Sequence, residues 1–230
     1  MESAIRDNLA EVRRRIEAAA RRAGRDPAQV QLVVVTKNRT VEQIREVLAC
    51  GAYALGENRV QEALAKIPQF GPETVWHLVG HLQRNKAKQA VRNFAFIHSL
   101  DSERLGAALQ RVAETEDRTV ETLLEVNVSG EQTKFGLAPD EVEPLLAAIA
   151  RSFDRLRVRG LMTMAPYVSD PETVRPPFRQ LRELRDRLAS EGYDLPHLSM
   201  GMTNDFEVAV EEGATMVRVG TAIFEAPSPA

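Results

Sequence analysis

The sequence predicts an α/β fold, a single (β/α)8 TIM barrel in which eight parallel strands, each followed by a helix, close into a ring. Three observations predict it. Short apolar, β-branched runs alternate with amphipathic stretches along nearly the whole chain. Eight runs recur, and each with its helix takes roughly 20 to 30 residues, the size of a barrel unit. The runs are apolar throughout, as suits strands covered on both faces in a parallel sheet, and the barrel accounts for them better than an open doubly wound sheet.

The elements follow in order. Ile5, Leu9, Val12 and Ile16 recur at helical spacing among Arg and Glu, so residues 1–24 form an extra N-terminal helix that packs on one face and ends near Gly24. Residues 31–36 are the first strand, with Lys37 at its carboxyl end. Thr40 and Gln43 make a capping box for a helix that stops at Gly51. Strands over 52–55 and 74–79 precede helices over about 57–66 and 83–91. Strands over 94–97 and 121–128 precede helices over 101–113 and 139–150. Residues 157–162 are the sixth run, and Val174, Phe178, Leu181 and Leu188 mark the helix after it. Residues 198–200 are a short seventh run; Asn204, with Glu207 three residues on, caps a helix that stops at Gly213, and 215–219 are the eighth. The whole chain, 1–230, is expected to be one domain with 226–230 as a frayed tail.

Composition narrows the function classes. A net charge of −3 gives no global excess of positive charge for nucleic acid or a membrane surface, so any anionic ligand must be met locally. One cysteine, Cys50, permits no internal disulfide and no paired-cysteine zinc site, which points to a reducing compartment. No signal peptide or membrane span is legible, and cytoplasmic residence is expected.

Chemistry in a barrel gathers at the carboxyl ends of strands and in the loops after them. Lys37 stands at such an end, after an apolar run whose walls would disfavour an ammonium and free the amine to attack an aldehyde. Local sequence also admits a surface lysine at a loop start. Ser199-Met-Gly-Met-Thr203 leads from the seventh run towards a helix, and Arg218-Val-Gly220-Thr221 ends the eighth. Small and hydroxyl residues there leave amides free for an anion, at the place where many barrels hold a phosphate. First and last strands adjoin in a closed barrel, so an amine and a phosphate cup face one cavity that suits a small phosphorylated aldehyde. Asn58, after the second strand, is within reach of a ligand at Lys37. His77 and His81 are four apart, but their stretch alternates like a strand, so no metal site is expected. Cys50 reads as a small apolar residue at a helix end, and Lys86, Lys88 and Arg92 as a solvated basic face.

Several ordered motifs carry a resemblance that covers nearly the whole chain: Val35-Thr-Lys37, Gly56-Glu-Asn58, Val60-Gln-Glu62, Trp76-His77 through Gly80, and Leu82-Gln83 with Asn85-Lys86. Gly160-Leu-Met162, Leu198 through Thr203 and Met216 through Phe224 complete them. The chain resembles the pyridoxal phosphate homeostasis proteins, also called the proline synthase co-transcribed family. The resemblance implies a barrel similar to the N-terminal domain of bacterial alanine racemase, with pyridoxal 5′-phosphate (PLP) held as a Schiff base on Lys37. It further implies Arg218 near the pyridine nitrogen, Thr203, Gly220 and Thr221 around the phosphate, and Asn58 and Ser199 on the pocket wall. Lys134 matches a family position and is a candidate second cofactor-handling lysine. Departures are Asn38-Arg39-Thr40 in place of a second lysine and a proline, Arg59 where an aromatic residue is common, and Glu225 where glycine is usual. Glu225 is expected to restrict the terminal helix or to weaken phosphate binding.

The implied function is to buffer PLP and deliver it to PLP-dependent apoenzymes without catalytic turnover, as a monomer that contacts neither nucleic acid nor membrane. An alternative is an amino-acid racemase of the alanine racemase type. Two-base racemisation needs a second acid/base group, which those enzymes take from a tyrosine in a C-terminal domain that has no counterpart expected here. Tyr53, Tyr167 and Tyr193 are the tyrosines present, and Tyr167 follows the sixth run. A cofactor-free Schiff-base aldolase would use the same lysine.

Overall fold

A computed structural model describes residues 4–131, 135–166 and 168–225. Lys134, Tyr167 and the tail 226–230 lie outside the described residues. The strands are β1 (Gln31–Val35), β2 (Ala54–Glu57), β3 (Val75–Leu78), β4 (Phe96–Leu100), β5 (Val120–Glu125), β6 (Leu156–Met162), β7 (His197–Ser199) and β8 (Met216–Val219). All pair in parallel in sequence order, and β8 pairs back on β1, which closes the barrel. Between and around them run α1 (Ala4–Arg22), α2 (Val41–Ala49), α3 (Val60–Lys66), α4 (Ala87–Asn93) and α5 (Glu103–Thr115). The second half contributes α6 (Val142–Ser152), α7 (Arg175–Ser190), α8 (Phe206–Glu211) and α9 (Thr221–Phe224).

Local chemistry sets most boundaries. The capping box of α2 is formed: Gln43 N donates to the Thr40 hydroxyl at 3.3 Å and Thr40 N to the Gln43 side chain at 3.0 Å. Helix α1 buries Ile5, Leu9, Val12 and Ile16, as its spacing predicts, and packs against α2, α8 and α9. Several boundaries differ from expectation. Strand β2 continues through Gly56 and Glu57, whose carbonyls accept from Thr36 N and Val79 N at 2.9 Å, so α3 starts only at Val60. Strand β4 starts at Phe96 and runs to Leu100, and α4 is preceded by a 3-10 turn over Arg84–Lys86. Asn204 does not cap α8. The helix begins after Asp205, whose carboxylate turns back to accept Met202 N at 2.6 Å and tightens the loop before it.

Alternation along each strand divides the core in two. Val34, Leu55, Leu78, Ile97, Leu124, Leu161, Leu198 and Val217 belong to the large apolar cluster shared with the helices. The barrel interior holds two smaller clusters, Val33, Val35, Ala54 and Val79 on one side and Leu123, Met162 and Met216 on the other. Polar side chains, buried His77, His98, Ser199 and Arg218, link β3, β4, β7 and β8. No helix of the described residues is long and apolar enough to cross a membrane.

Candidate functional site

Lys37 is presented by a loop fixed on both sides of it. Thr36 is fully buried and donates its hydroxyl to Glu57 Oε1 at 2.6 Å. Lys66 Nζ, reaching in from α3, bonds Thr36 O, Glu57 Oε1 and Glu62 Oε1, each at 2.7 Å. Glu62 Oε1 also accepts from Asn38 N at 2.5 Å, holding Asn38 in its left-handed conformation at φ 59°. Burial pushes the Glu57 carboxyl up, against the pull of Lys66 and Thr36, whereas Lys66 and the Asn38 amide hold that of Glu62 below its ordinary value despite its own desolvation. Lys37 itself is exposed, and its amine has no partner among the described residues. Glu57, Glu62 and Lys66 as supports of this loop went unread in the sequence, although the four-residue spacing of Glu62 and Lys66 on one helix was a signal.

The exits of β7 and β8 meet beside that loop. Gly220 caps α9 and leaves no room for a side chain: a Cβ there would lie 2.9 Å from Val35 O and 3.3 Å from Val35 Cβ, so β8 approaches β1 closely. Ala222 N donates to the Thr203 hydroxyl at 3.4 Å, which ties the two loops together. On the other flank, Gly80 lets the β3 exit lie against Asn58, since a Cβ there would fall 2.3 Å from Asn58 O.

Arg218 points into the barrel from β8 and is 4% exposed. Its Nη1 donates to Ser199 Oγ at 2.5 Å and its Nη2 to Thr163 O at 2.9 Å. Behind it, Ser199 Oγ lies 2.9 Å from His98 Nδ1, and His98 Nε2 lies 3.0 Å from His77 Nδ1. Desolvation lowers the guanidinium to about 10, still charged at neutral pH, against the pull of Asp205 and Glu125. Desolvation likewise depresses both imidazoles, His77 to about 4 and His98 well below its ordinary value, so the pair is neutral.

These elements enclose one cavity of about 960 Å³ lined by Lys37, Asn58, Thr203, Arg218, Gly220 and Thr221, with Val35, Val79 and Met164 among its apolar walls. Ser199 is placed differently: it is fully buried behind Arg218 and acts on the cavity only by fixing that guanidinium. Asp205, on the other hand, lines the cavity and went unread as a site residue. His77 and His81 share no site, because His77 turns into the barrel interior while His81 stays exposed near Asp101.

The family model for the alanine racemase N-terminal domain matches residues 7–227. A pyridoxal phosphate homeostasis protein of Aquifex aeolicus is 45% identical over 95% of this chain and 96% of its own length. The chain belongs to the pyridoxal phosphate homeostasis family. Its Escherichia coli member is 39% identical over 96% of both chains. PipY of Synechococcus elongatus, in its structure with PLP bound, is 36% identical and superposes with a TM-score of 0.84 over 96% of this chain and all of its own. Alanine racemase of Clostridium difficile, 13% identical with a TM-score of 0.76, shares the fold, and this chain covers 57% of it.

Two departures from the family's usual sequence meet in space. Arg39 Nη2 pairs with Glu225 Oε1 at 2.5 Å, and its guanidinium lies 5.1 Å from the centre of the Phe224 ring. Asn8 of α1 donates to Glu225 O at 3.1 Å. Glu225 thus restrains the end of α9, one of the two effects its sequence suggested. Arg59 is exposed at the start of α3 and makes no cap.

Proposed function

We propose that this chain binds PLP in the Lys37 cavity and serves to buffer and deliver it, without turnover of its own. The observation that carries the reading is the convergence, in one cavity, of a lysine amine after β1 with no partner among the described residues, a buried guanidinium on β8 and the tied loops after β7 and β8. That set fits the cofactor: the amine matches its aldehyde, the two loops that carry Thr203 and Thr221 its phosphate, and Arg218 its ring nitrogen. The volume lies at the upper end of the range usual for small-molecule sites. The PLP bound by PipY supports it as well.

When bound, PLP supplies an aldehyde that exchanges reversibly between amines and a ring that can accept electron density. The chain's residues bind and orient it. Lys37 would be the covalent attachment, Thr203, Gly220 and Thr221 would receive the phosphate, and Asn58 would form part of the pocket wall. Arg218, which can only donate, would keep the ring nitrogen unprotonated and so weaken the ring as an electron sink. Ser199 and His98 hold Arg218 in that position. Tyr53 precedes β2 and Tyr193 precedes β7, at the amino ends of their strands and away from the cavity, which weighs against either as a second base for racemisation. We place the protein in the cytoplasm as a monomer that contacts apoenzymes transiently; the free Cys50 is in keeping with a reducing compartment.

Titration with PLP, followed by absorbance, tests the reading alongside racemisation assays on alanine and other amino acids. A saturable imine band, weakened about tenfold in affinity in Thr203→Val, with no racemisation above background, is expected. Amino-acid racemisation that is lost in Lys37→Ala would overturn the non-catalytic reading.

A further inference from the structure

Consecutive strands bring three chemistry-bearing side chains together on the wall of the mouth opposite Lys37. His81 follows β3, Asp101 follows β4 directly and Glu125 is the last residue of β5. One ligand atom from each lies within 4.8 Å of the others, and His81 Nδ1 is 3.5 Å from Asp101 Oδ2. None of the three lines the Lys37 cavity.

Their surroundings aim them at one point. The His81 ring stacks on Phe135, with centroids 4.0 Å apart and planes 15° from parallel. Ser102 donates its hydroxyl to Asp101 Oδ1 at 3.0 Å, which leaves Oδ2 facing the imidazole. Glu125 is 2% exposed, yet its Oε2 has no hydrogen-bond partner among the described residues. A carboxylate buried without a partner, beside a second carboxylate, is costly unless it takes up a proton or something cationic completes it. Arg218 attracts it electrostatically but donates its hydrogen bonds to Ser199 and Thr163.

We propose that His81, Asp101 and Glu125 form a binding site for a first-row divalent transition-metal ion. Ligands about 2.0–2.2 Å from such an ion stand roughly 3.0–3.5 Å apart, the His81–Asp101 spacing already present, so Glu125 has to close by roughly 1.3–1.8 Å at most. One imidazole with two carboxylates suits zinc, manganese, iron or cobalt, whereas calcium and magnesium prefer oxygen alone and copper(I) prefers sulfur. The side chains of His81 and Asp101 are 33% and 16% exposed, which gives the ion a way in, and three protein ligands leave positions for water or a small anion. This site does not depend on the PLP reading.

The test is calorimetric titration of chelator-treated, tag-free protein with zinc chloride, and of the same protein with manganese chloride by electron paramagnetic resonance. One equivalent of at least one metal should bind, at least tenfold more weakly in each of His81→Ala, Asp101→Asn and Glu125→Gln. His81 lies at the exposed mouth, so His81→Ala keeps the test open if Glu125→Gln does not fold. Binding of neither metal, or binding that all three variants leave unchanged, overturns the proposal.

Discussion

His77 and His98 are imidazoles held neutral inside a barrel, and their titration is a stability effect. His77 is 1% exposed, its Nε2 has no partner among the described residues, and burial with the nearby His197 lowers it from 6.5 to about 4. A histidine whose folded value is depressed contributes stability that is complete above its unfolded value and lost as pH falls. The window here runs from about 6.5 down to about 4, and the full loss is about 3 kcal/mol. Urea unfolding at pH 7 and pH 4.5 should show the wild type losing roughly 2 kcal/mol more on acidification than His77→Gln. Equal losses in the two proteins would remove His77 from the acid limb. Nothing in the sequence signalled this pair, because a histidine on an alternating strand looks the same whether it faces a helix, a ligand or another histidine.

At the scale of elements, closure of the barrel between β8 and β1 positions the cavity. Gly220 stands at that seam with no space for a Cβ against Val35. Gly220→Ala should push the strands apart and destabilise by about 1–3 kcal/mol, lowering Tm by roughly 2–4 °C per kcal/mol in a chain of this size. An unchanged Tm would contradict the close approach. The strand–helix order was legible because apolar runs and caps such as Thr40 with Gln43 are local signals. Boundaries set by long-range pairing were less so: β2 extends because Thr36 N and Val79 N, just past β1 and β3, donate to its carbonyls. Asn204 carried the right residue type for a cap, but Asp205 took the bond that decides the loop.

For the molecule as a whole, one ring of strands brings residues separated by most of the chain to one mouth. Lys37, Asn58, Thr203, Arg218, Gly220 and Thr221 were legible as a group once a closed barrel was expected, since strand ends and neighbouring order locate them without side-chain detail. What supports them was not: the Lys66 ion cluster beneath Lys37 and the Ser199–His98–His77 chain behind Arg218 depend on which way buried side chains turn. The same ring has two chemical walls, an amine and phosphate cup at β8 and β1 and a histidine–carboxylate cluster at β3 to β5. The central claim is attachment at Lys37, and borohydride reduction of the PLP-loaded protein followed by peptide mass spectrometry tests it most directly. The account predicts one reduced pyridoxyl phosphate adduct, on Lys37, absent in a folded Lys37→Ala protein. An adduct confined to another lysine, or full binding retained in Lys37→Ala, would contradict it.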